Sequence, residues 1–371
     1  MYTIIMGARL TSLPFPRWYP SQVSLFSKDS LHTTPALSFN PHHFLDSLKA
    51  RNGTRILGIE LGGDKLTSQL YEVVDQDLVP VSRFNAFYSK QGKGYLKELE
   101  KLAAGLDPTT HVGISFAGPL DHKTKSLHAA PNMQVFFREF LESPYQGKLE
   151  NLFASPFTLV NDAVATTLTA SVSMAKKDKT FTGLLLIIIG SGLGGAMWYQ
   201  DKKDAHILAC EPGHIPVIPQ LNPFKQTIPC PLLQSFSEAS PLLRNKVCIE
   251  HVAAGKAGIE SVFEQETHKH LSGEEISGKY QQGHRFATEL YDLSANIVAH
   301  TIEGMIKTFR FSLQSTVIAL HGGVTLVPDY SERVVQIIQR NISASLNVIE
   351  TKNITKHSGN MGAALAALIS E

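Results

Sequence analysis

Two stretches of the sequence decide the fold: Arg55-Ile-Leu-Gly-Ile-Glu-Leu-Gly-Gly-Asp-Lys65 and Leu184-Leu-Leu-Ile-Ile-Ile-Gly-Ser-Gly-Leu-Gly-Gly195. Each is an apolar run that ends in glycines, and a second strand-like run follows it, Leu66–Val74 in the first half and Ala196–Tyr199 in the second. Short apolar runs bounded by glycines are typical of buried strands joined by tight turns. The repetition predicts two similar α/β lobes with a cleft between them.

The two glycine turns also predict a ligand. Glycine permits positive φ angles, so that successive backbone N–H groups can converge on an anion. For either turn alone, a hairpin that binds nothing is the better interpretation. Because a turn stands at the matching place in each half, the pair predicts a site for nucleotide phosphates to which both lobes contribute.

The rest of the chain alternates between strand and helix patterns, as expected for an α/β protein. Residues 1–53 are rich in proline and serine and predict a loosely packed N-terminal extension with a short helix at His43–Ala50. We expect an N-terminal lobe at 54–180 and a C-terminal lobe at 181–371. Further predicted strands are His111–Phe116, Phe157–Val160 and Thr316–Leu320, and further predicted helices are Gly94–Leu106, Met133–Leu141, Asp162–Ala175, Phe286–Leu313, Tyr330–Leu346 and Gly359–Ile369.

Composition excludes several classes of protein. Of 371 residues, 43% are apolar and 18% charged, the balance of a globular protein with a large core. The net charge of +1 gives no overall attraction to nucleic acid or to an anionic membrane. The apolar run Leu184–Ile189 is far shorter than the roughly 20 residues that cross a bilayer. Three cysteines make no disulfide framework, so a reducing, cytoplasmic compartment is expected.

Two short motifs carry candidate chemistry. Asn161-Asp162 lies between a predicted strand and a predicted helix, where it is either a helix N-cap or a carboxylate placed as a general base. Glu211-Pro-Gly-His214 sets a carboxylate and an imidazole across a turn. A carboxylate only accepts hydrogen bonds and an imidazole can donate one, a combination that suits two neighbouring sugar hydroxyls.

These motifs, in this order, resemble the ROK family of sugar kinases and sugar-responsive repressors, which belongs to the actin-like ATPase superfamily. The resemblance extends from about Ile56 to Leu368 and implies a two-lobed, ribonuclease H-like α/β fold with a central cleft between the lobes. The segments that carry it are GIELGGDK (58–65), VGISFAGPLD (112–121), LVNDAVATTL (159–168), IGSGLGGA (189–196), EPGH (211–214), CIEHVAAGKAGIE (248–260), HGGV (321–324) and GNMGAALAAL (359–368).

The resemblance also implies roles for individual residues. Asp162 would be the base that deprotonates a sugar hydroxyl, and Glu60 would help to place Mg²⁺. The implied sugar-binding residues are Asn132, Asn161, Glu211, His214 and Glu250. The implied nucleotide-binding residues are Gly62, Gly63, Lys65, Ser191, Gly192, Gly322 and Gly323.

The first phosphate loop departs from the family pattern twice. Glu60 stands where the family usually has Asp, which keeps the charge on a longer arm. Asp64 replaces a Thr or Ser whose hydroxyl donates to phosphate. A carboxylate about 4 Å from a phosphate charge, at an effective dielectric near 20, is repelled by roughly 4 kcal/mol. Asp64 therefore predicts weakened ATP use or a modified metal site, since a bridging Mg²⁺ would reverse the sign.

The zinc motif of the family is incomplete in this chain. The resemblance leaves His214, Cys230 and Cys248 as zinc ligands, but the second cysteine of the usual Cys-x-Cys pair is missing. Structural zinc takes four ligands in a tetrahedral arrangement. The alternative is that Cys230 and Cys248 are ordinary buried thiols.

The leading hypothesis for function is an ATP- and Mg²⁺-dependent kinase that phosphorylates a hexose or an N-acetylhexosamine. The alternative is a catalytically weak or inactive sugar-binding, regulatory protein of the same fold. DNA binding is not expected, because residues 1–53 lack the helical period of a helix-turn-helix. Partners would be a sugar and ATP, with neither nucleic acid nor membrane, and a homodimer is compatible with the resemblance.

Overall fold

The computed structural model describes residues 35–117, 120–121, 126–127, 133–200, 205–210, 212–214, 247–309, 311–312, 314–343, 346–351 and 357–369. The chain forms two compact units. The first unit comprises the described residues of Thr34–Leu186, Ala196–Ala209 and Thr351–Glu371, and the second those of Ile187–Gly195 and Cys210–Glu350. In the part of the chain described, no helix has the length and apolar character that a membrane span requires.

The regular elements follow the alternating pattern of the sequence. The strands are β1 (Pro35–Ser38), β2 (Arg55–Leu61), β3 (Lys65–Val74), β4 (Asp77–Pro80), β5 (Asn85–Tyr88), β6 (His111–Phe116), β7 (Leu120–Asp121), β8 (Ser126–Leu127), β9 (Phe157–Asn161), β10 (Gly183–Ile189), β11 (Leu193–Gln200), β12 (Ala205–Cys210), β13 (Thr316–His321) and β14 (Asn347–Glu350). The helices are α1 (Pro41–Leu48), α2 (Tyr95–Ala104), α3 (Gln134–Glu142), α4 (Asp162–Lys177), α5 (Lys256–Thr267), α6 (Gly273–Gln281), α7 (Arg285–Phe309), α8 (Tyr330–Asn341) and α9 (Ser358–Ile369).

The sheet of the first unit has the strand order β4-β3-β2-β6-β9, with β5 paired to β3. The predicted hairpin is confirmed: β2 and β3 are antiparallel and join through the first glycine turn. Strands β2, β6 and β9 run parallel to one another. A core of buried aromatic and aliphatic side chains, among them Tyr95, Phe136 and Phe140, covers one face of this sheet.

Helix α9 covers the other face of the sheet, so the last helix of the chain belongs to the first unit. Small residues make this packing close. A Cβ atom on Gly58 of β2 would overlap the Asn360 carbonyl, and one on Gly113 of β6 would overlap the Ala363 carbonyl. The sequence-based boundary at residue 181 assigned this helix to the C-terminal lobe. The backbone-to-backbone contacts that glycine permits place it with the first unit.

Residues 35–51 are an integral part of the first unit, which differs from the loosely packed extension that composition suggested. Strand β1 pairs with β12, and Asn40 caps α1 by accepting hydrogen bonds from the next turn. Helix α1 buries Phe44, Leu45 and Leu48. The backbone carbonyl of Phe39 accepts a hydrogen bond of 2.8 Å from the buried Trp198 indole. The many prolines and serines of residues 1–53 made the apolar face of α1 hard to recognise in the sequence.

A second sheet has the order β1-β12-β11-β10-β13-β14, with β13 and β14 parallel. In the second unit, α7 packs along α8, and the Ser294 and Tyr330 hydroxyls lie 2.9 Å apart in that interface. Helices α7 and α8 end before the sequence pattern predicted, at Phe309 and Asn341. The second predicted strand–glycine–strand unit is confirmed as β10 and β11.

Candidate active site

The register of the first sheet aligns the carboxyl ends of its parallel strands. Leu61 of β2 pairs with Phe116 of β6, and Phe116 pairs with Asn161 of β9. Glu60 and Asp162 therefore lie at the same edge of the sheet, one near the end of β2 and the other directly after β9. The carboxyl edge of parallel strands is where open α/β sheets bind their ligands.

Asn161 and Asp162 have separate local roles. From the sequence, this pair was either a helix N-cap or the site of a general base. Asn161 is the N-cap of α4, and its side-chain oxygen accepts hydrogen bonds from the N–H groups of Ala163, at 2.9 Å, and Val164, at 3.4 Å. Asp162 is the first residue of the helix, and its Oδ1 accepts from the Ala163 N–H at 2.9 Å. Because Asn161 supplies the cap, Asp162 is not needed for it.

The carboxyl group of Asp162 has an unusual affinity for protons. Burial, and after it the negative charge of Glu60, together raise the pKa of Asp162 from 3.8 to about 6. The hydrogen bond from Ala163 acts in the opposite sense and is outweighed. A carboxylate whose pKa lies near neutrality is a suitable general base, because it can accept a proton and still be ionised at working pH.

A chain of buried polar groups holds Glu60. The Thr67 hydroxyl donates to Glu60 Oε2 at 3.1 Å, and Asn360 Nδ2 donates to the Thr67 oxygen at 3.5 Å. The Tyr71 hydroxyl donates to Asn360 Oδ1 at 2.8 Å. Thr67 and Asn360 are fully buried, and burial followed by the Glu60 charge raises the pKa of Tyr71 above its ordinary range. The network fixes the direction of the Glu60 carboxylate.

Gly359 makes room for the long arm of Glu60. A Cβ atom on Gly359 would lie 2.5 to 2.9 Å from the Glu60 carboxyl atoms, which no side chain tolerates without a shift. Gly359 is in the first turn of α9, so the carboxylate packs against the N-terminal end of this helix. That end carries a partial positive charge, which favours an anion there. The Glu-for-Asp departure is thus accommodated by the fold.

The first glycine turn is tied to the core below it. The Gly62 N–H donates to the Lys65 carbonyl at 2.9 Å, which closes the turn. The buried Tyr95 hydroxyl donates to the Gly62 carbonyl at 3.1 Å. Asp64 is exposed at the tip, and its backbone carbonyl accepts from the Ser89 N–H at 3.1 Å. Burial, and then the charges of Asp64 and Glu60, raise the pKa of Tyr95 above its ordinary range, so its hydroxyl stays a donor.

The side chain of Lys65 lies over an aromatic pair. Lys65 Nζ is 5.9 Å from the centre of the Phe84 ring, and Phe84 stacks on the His357 ring with centroids 3.8 Å apart. A cation over an aromatic face is attracted by the negative charge of that face. The stack therefore gives Lys65, the residue next to Asp64, a defined direction.

The second glycine turn is held by the start of helix α5. The Gly190 N–H donates to the Gly192 carbonyl at 3.0 Å, and the Lys256 N–H donates to the Gly190 carbonyl at 2.8 Å. Gly255, the N-cap of α5, approaches so closely that its Cβ would lie 2.8 Å from the Gly192 backbone. Ser191 is exposed at the tip of the turn. The turn is thus a fixed feature of the second unit.

Gly322 follows β13 and requires the conformational freedom of glycine. Its φ of +106° is one that other residues rarely adopt, and a Cβ atom would overlap the backbone of Ile189. Gly323 starts the short 3₁₀ helix Gly323–Leu326 and is exposed. The structure therefore brings the predicted adenosine-side turn against the strand that leads into the second glycine turn.

Glu250 also contacts the second glycine turn. It starts the π-helical turn Glu250–Ala254, and its Oε2 accepts a hydrogen bond of 3.2 Å from the Leu193 N–H. A Cβ atom on Gly192 would overlap this oxygen, and one on Gly213 would lie 2.8 Å from it. The sequence assigned Glu250 to the sugar alone and did not reveal this contact.

The predicted zinc ligands are only partly described. Cys248 is buried, and its Sγ lies 2.8 Å from Nδ1 of His251. With Glu250, these residues place three ligand atoms within 4.8 Å of one another. This donor set is one short of a structural zinc site, as far as the described residues go. His251 was not predicted, although the Cys248-x-x-His251 spacing could have signalled it.

Several predicted residues lie outside the described part of the chain. Asn132, Glu211 and Cys230 are among them. His214 is described for its backbone alone, as the last residue of the 3₁₀ turn Pro212–His214. Their predicted roles in sugar and zinc binding stay predictions.

The family model named ROK family matches residues 56–369. None of the curated protein sequences matches. Many solved structures are similar, which confirms the predicted actin-like ATPase fold class.

Three of the similar structures show which kinds of protein share this fold. A ROK hexokinase from Thermus thermophilus has a TM-score of 0.59 at 19% identity, over 85% of this chain and 99% of that one. A ROK family glucokinase from Streptomyces griseus, in complex with glucose and AMPPNP, has a TM-score of 0.52 at 19% identity, over 84% and 98%. A ROK family transcriptional regulator, a homologue of the E. coli MLC protein, has a TM-score of 0.59 at 18% identity, over 86% and 79%.

The structural similarity at such low identity shows the fold. The family model, which spans most of the chain, shows the family. The match begins at the first residues of β2 and ends at the last residue of α9. It therefore includes both glycine turns, the Asn161-Asp162 segment and the Cys248 region. The chain belongs to the ROK family.

Proposed function

We propose that the protein transfers the γ-phosphoryl group of ATP to a hydroxyl of a hexose or an N-acetylhexosamine, with Asp162 as the general base. The observation that carries the proposal is the position of Asp162 at the carboxyl edge of β9, with a pKa raised to about 6. Sugar kinases among the similar structures support it. A sugar hydroxyl is a weak nucleophile, and a carboxylate that accepts its proton in the transition state makes it a better one.

Glu60 and Asp162 also fit a divalent cation. Both are carboxylates at one edge of the sheet, and the Glu60 charge raises the pKa of Asp162, so the two groups share a region of negative potential. Oxygen ligands of this kind are those that Mg²⁺ prefers. The ion would neutralise phosphate charge. Glu60 would hold it, and the Thr67 and Asn360 contacts would keep Glu60 in place.

The glycine turns would supply the nucleotide site. We assign phosphate contacts to Gly62, Gly63 and Lys65 of the first glycine turn and to Ser191 and Gly192 of the second. Backbone N–H groups in such turns can face an anion without side-chain obstruction. The Gly322-Gly323 turn would contact the adenosine side.

Asp64 is the observation that favours a second candidate, a sugar-binding regulator with weak or no catalysis. A ROK transcriptional regulator among the similar structures is compatible with it. The Asp64 side chain is exposed, however, and a charge pair at 4 Å costs only about 1 kcal/mol in water, against about 4 kcal/mol at a dielectric of 20. Exposure therefore makes Asp64 tolerable for ATP use, which favours the kinase.

The test is ADP release from Mg²⁺–ATP in the presence of glucose, mannose, fructose, N-acetylglucosamine or N-acetylmannosamine. We expect turnover with at least one sugar, and none from Asp162→Asn. We also expect Asp64→Thr to lower the KM for ATP without changing which sugar is used. Folded wild-type protein that is inactive with every sugar, and stays inactive as Asp64→Thr, would leave the regulator as the better proposal.

A further inference from the structure

We propose that Glu250 is a positioning residue of the second glycine turn, which it ties to Gly213 and so links nucleotide binding to sugar binding. The inference rests on the proposed function, because that function assigns ATP phosphates to this turn, and the family resemblance implies a sugar at the Glu211–His214 motif. It gives Glu250 a task on the nucleotide side that is separate from any contact with sugar.

The first step is the hydrogen bond inside the turn. The Leu193 N–H, just after Gly192, donates to Glu250 Oε2 at 3.2 Å. A bond to an ionised acceptor is stronger than one between neutral groups. The turn therefore adopts its shape around a carboxylate of the protein before any phosphate arrives.

The second step is that two glycines from different segments meet the same oxygen. Glu250 Oε2 occupies the space that a Cβ atom of Gly192 would take, and it lies 2.8 Å from the corresponding position on Gly213. Gly213 also contacts the strand after the turn, because its Cβ would lie 2.5 Å from the Leu193 carbonyl oxygen. One carboxylate thus joins the glycine turn to the Pro212–His214 turn.

The third step is that the segment after Glu250 holds the other end of the same turn. The Lys256 N–H donates to the Gly190 carbonyl at 2.8 Å, and Gly255 lies directly against the Gly192 backbone. Residues 250–256 therefore fix both ends of the glycine turn. A displacement of this segment displaces the turn with it.

This arrangement links the affinities for sugar and nucleotide. A sugar that contacts the Pro212–His214 turn or the Glu250 carboxylate changes how the glycine turn is held, and so changes the affinity for the nucleotide. The bound nucleotide then changes the affinity for the sugar by the same factor. Couplings of this kind are typically about 5- to 150-fold.

The decisive measurement needs no sugar. Calorimetric titration of Mg²⁺–AMPPNP would compare wild-type protein with Glu250→Gln, Glu250→Ala and the control Glu266→Gln. Glu266 is an exposed glutamate on α5, in the same part of the chain. We expect Glu250→Ala to weaken binding roughly tenfold or more, as expected for a lost hydrogen bond to a charged acceptor. Glu250→Gln keeps the length of the side chain and a hydrogen-bond acceptor, so it should lose less affinity for Mg²⁺–AMPPNP. The control Glu266→Gln should lose none.

The outcomes separate this inference from the proposed function. Wild-type protein that does not bind Mg²⁺–AMPPNP would overturn both. Wild-type binding with unchanged affinity in folded Glu250→Gln and Glu250→Ala would overturn the inference alone, because a sugar-only role predicts that result. Circular dichroism and the thermal midpoint establish folding of each variant.

A second variant approaches the same carboxylate from the other side. Gly213→Ala places a methyl group against Glu250 and Leu193. We expect it to weaken Mg²⁺–AMPPNP binding although Gly213 lies in the sugar-side motif, and unchanged affinity would contradict the proposal. Repeating the titrations with saturating glucose, N-acetylglucosamine or N-acetylmannosamine measures the linkage. At least one sugar should shift the wild-type Kd, and the shift should vanish in Glu250→Ala. No shift in wild-type protein would refute the linkage.

Discussion

Replacing Asp162 with asparagine should remove activity and, at the same time, stabilise the folded protein at neutral pH. Burial, with a smaller contribution from the charge of Glu60, raises the pKa of this carboxyl from 3.8 to about 6. The folded state therefore binds the Asp162 proton more tightly than the unfolded state does. Ionising the group in the folded protein costs stability, and an uncharged amide of the same shape avoids that cost.

The magnitude follows from the difference between the two pKa values. A tenfold change in acidity corresponds to about 1.4 kcal/mol, so the rise from 3.8 to about 6 amounts to roughly 3 kcal/mol. The cost is complete above about pH 6, where the group is ionised in both states, and absent below about pH 4, where it is protonated in both. The stabilisation by Asp162→Asn should therefore be largest at pH 7 to 8 and disappear as the pH falls to about 4.

Urea unfolding of both proteins at pH 8, 6 and 4 measures this difference. Asp178→Asn is a matched control at the other end of helix α4. Hydrogen bonds from the Thr180 hydroxyl, at 2.7 Å, and N–H, at 2.8 Å, lower the pKa of Asp178, so its replacement should destabilise at neutral pH. If Asp162→Asn raised the free energy of unfolding equally at every pH, or lowered it at pH 8, the reasoning would be refuted.

Three further predictions concern the same region. In kinase assays, kcat/KM should rise with pH through about 6, because Asp162 must be ionised to accept a proton. Gly359→Ala should displace the Glu60 carboxylate, cost about 1 to 3 kcal/mol of stability and raise the Mg²⁺ concentration needed for nucleotide binding. Tyr95→Phe removes the donor to the Gly62 carbonyl, so it should cost about 1 kcal/mol and raise the KM for ATP more than it lowers kcat.

The two substitutions have matched controls in the chain. Gly278 lies in α6 with open space around its Cα, so Gly278→Ala should be neutral or stabilising. Tyr88 is 72% exposed, and Tyr88→Phe should leave both stability and the KM for ATP unchanged. Equal effects in the test and control variants would contradict the assigned contacts. A kcat/KM that is flat between pH 5 and 8 would contradict Asp162 as the base.

The sequence predicts those features that are encoded over short distances. Both strand–glycine–strand units are recognisable because the apolar run and the glycines that end it are adjacent in the chain. The position of Asp162 between β9 and α4 is recognisable for the same reason. The sequence did not decide between a cap and a base there, whereas the Asn161 contacts show that Asn161 is the N-cap.

Contacts between distant residues could not be predicted. Thr67 and Asn360 are 293 residues apart, and neither has a local pattern that points to the other. The sequence shows that Glu60 keeps the charge on a longer arm, but only the fold reveals that Gly359 leaves space for that arm. The apolar face of α1 was hidden by a proline-rich composition, because burial depends on what a helix packs against.

The position of α9 has a consequence for biosynthesis. Asn360, one of the residues that hold Glu60 in place, emerges from the ribosome 289 residues after Tyr71 of β3. A nascent first unit has an uncovered sheet face until residue 369 has been made. Such non-local pairing slows folding and exposes apolar surface meanwhile, so chaperone dependence during translation is expected. A chain terminated before α9 would retain both glycine turns and Asp162 but leave the Glu60 carboxylate without the contacts that Asn360 and Gly359 provide.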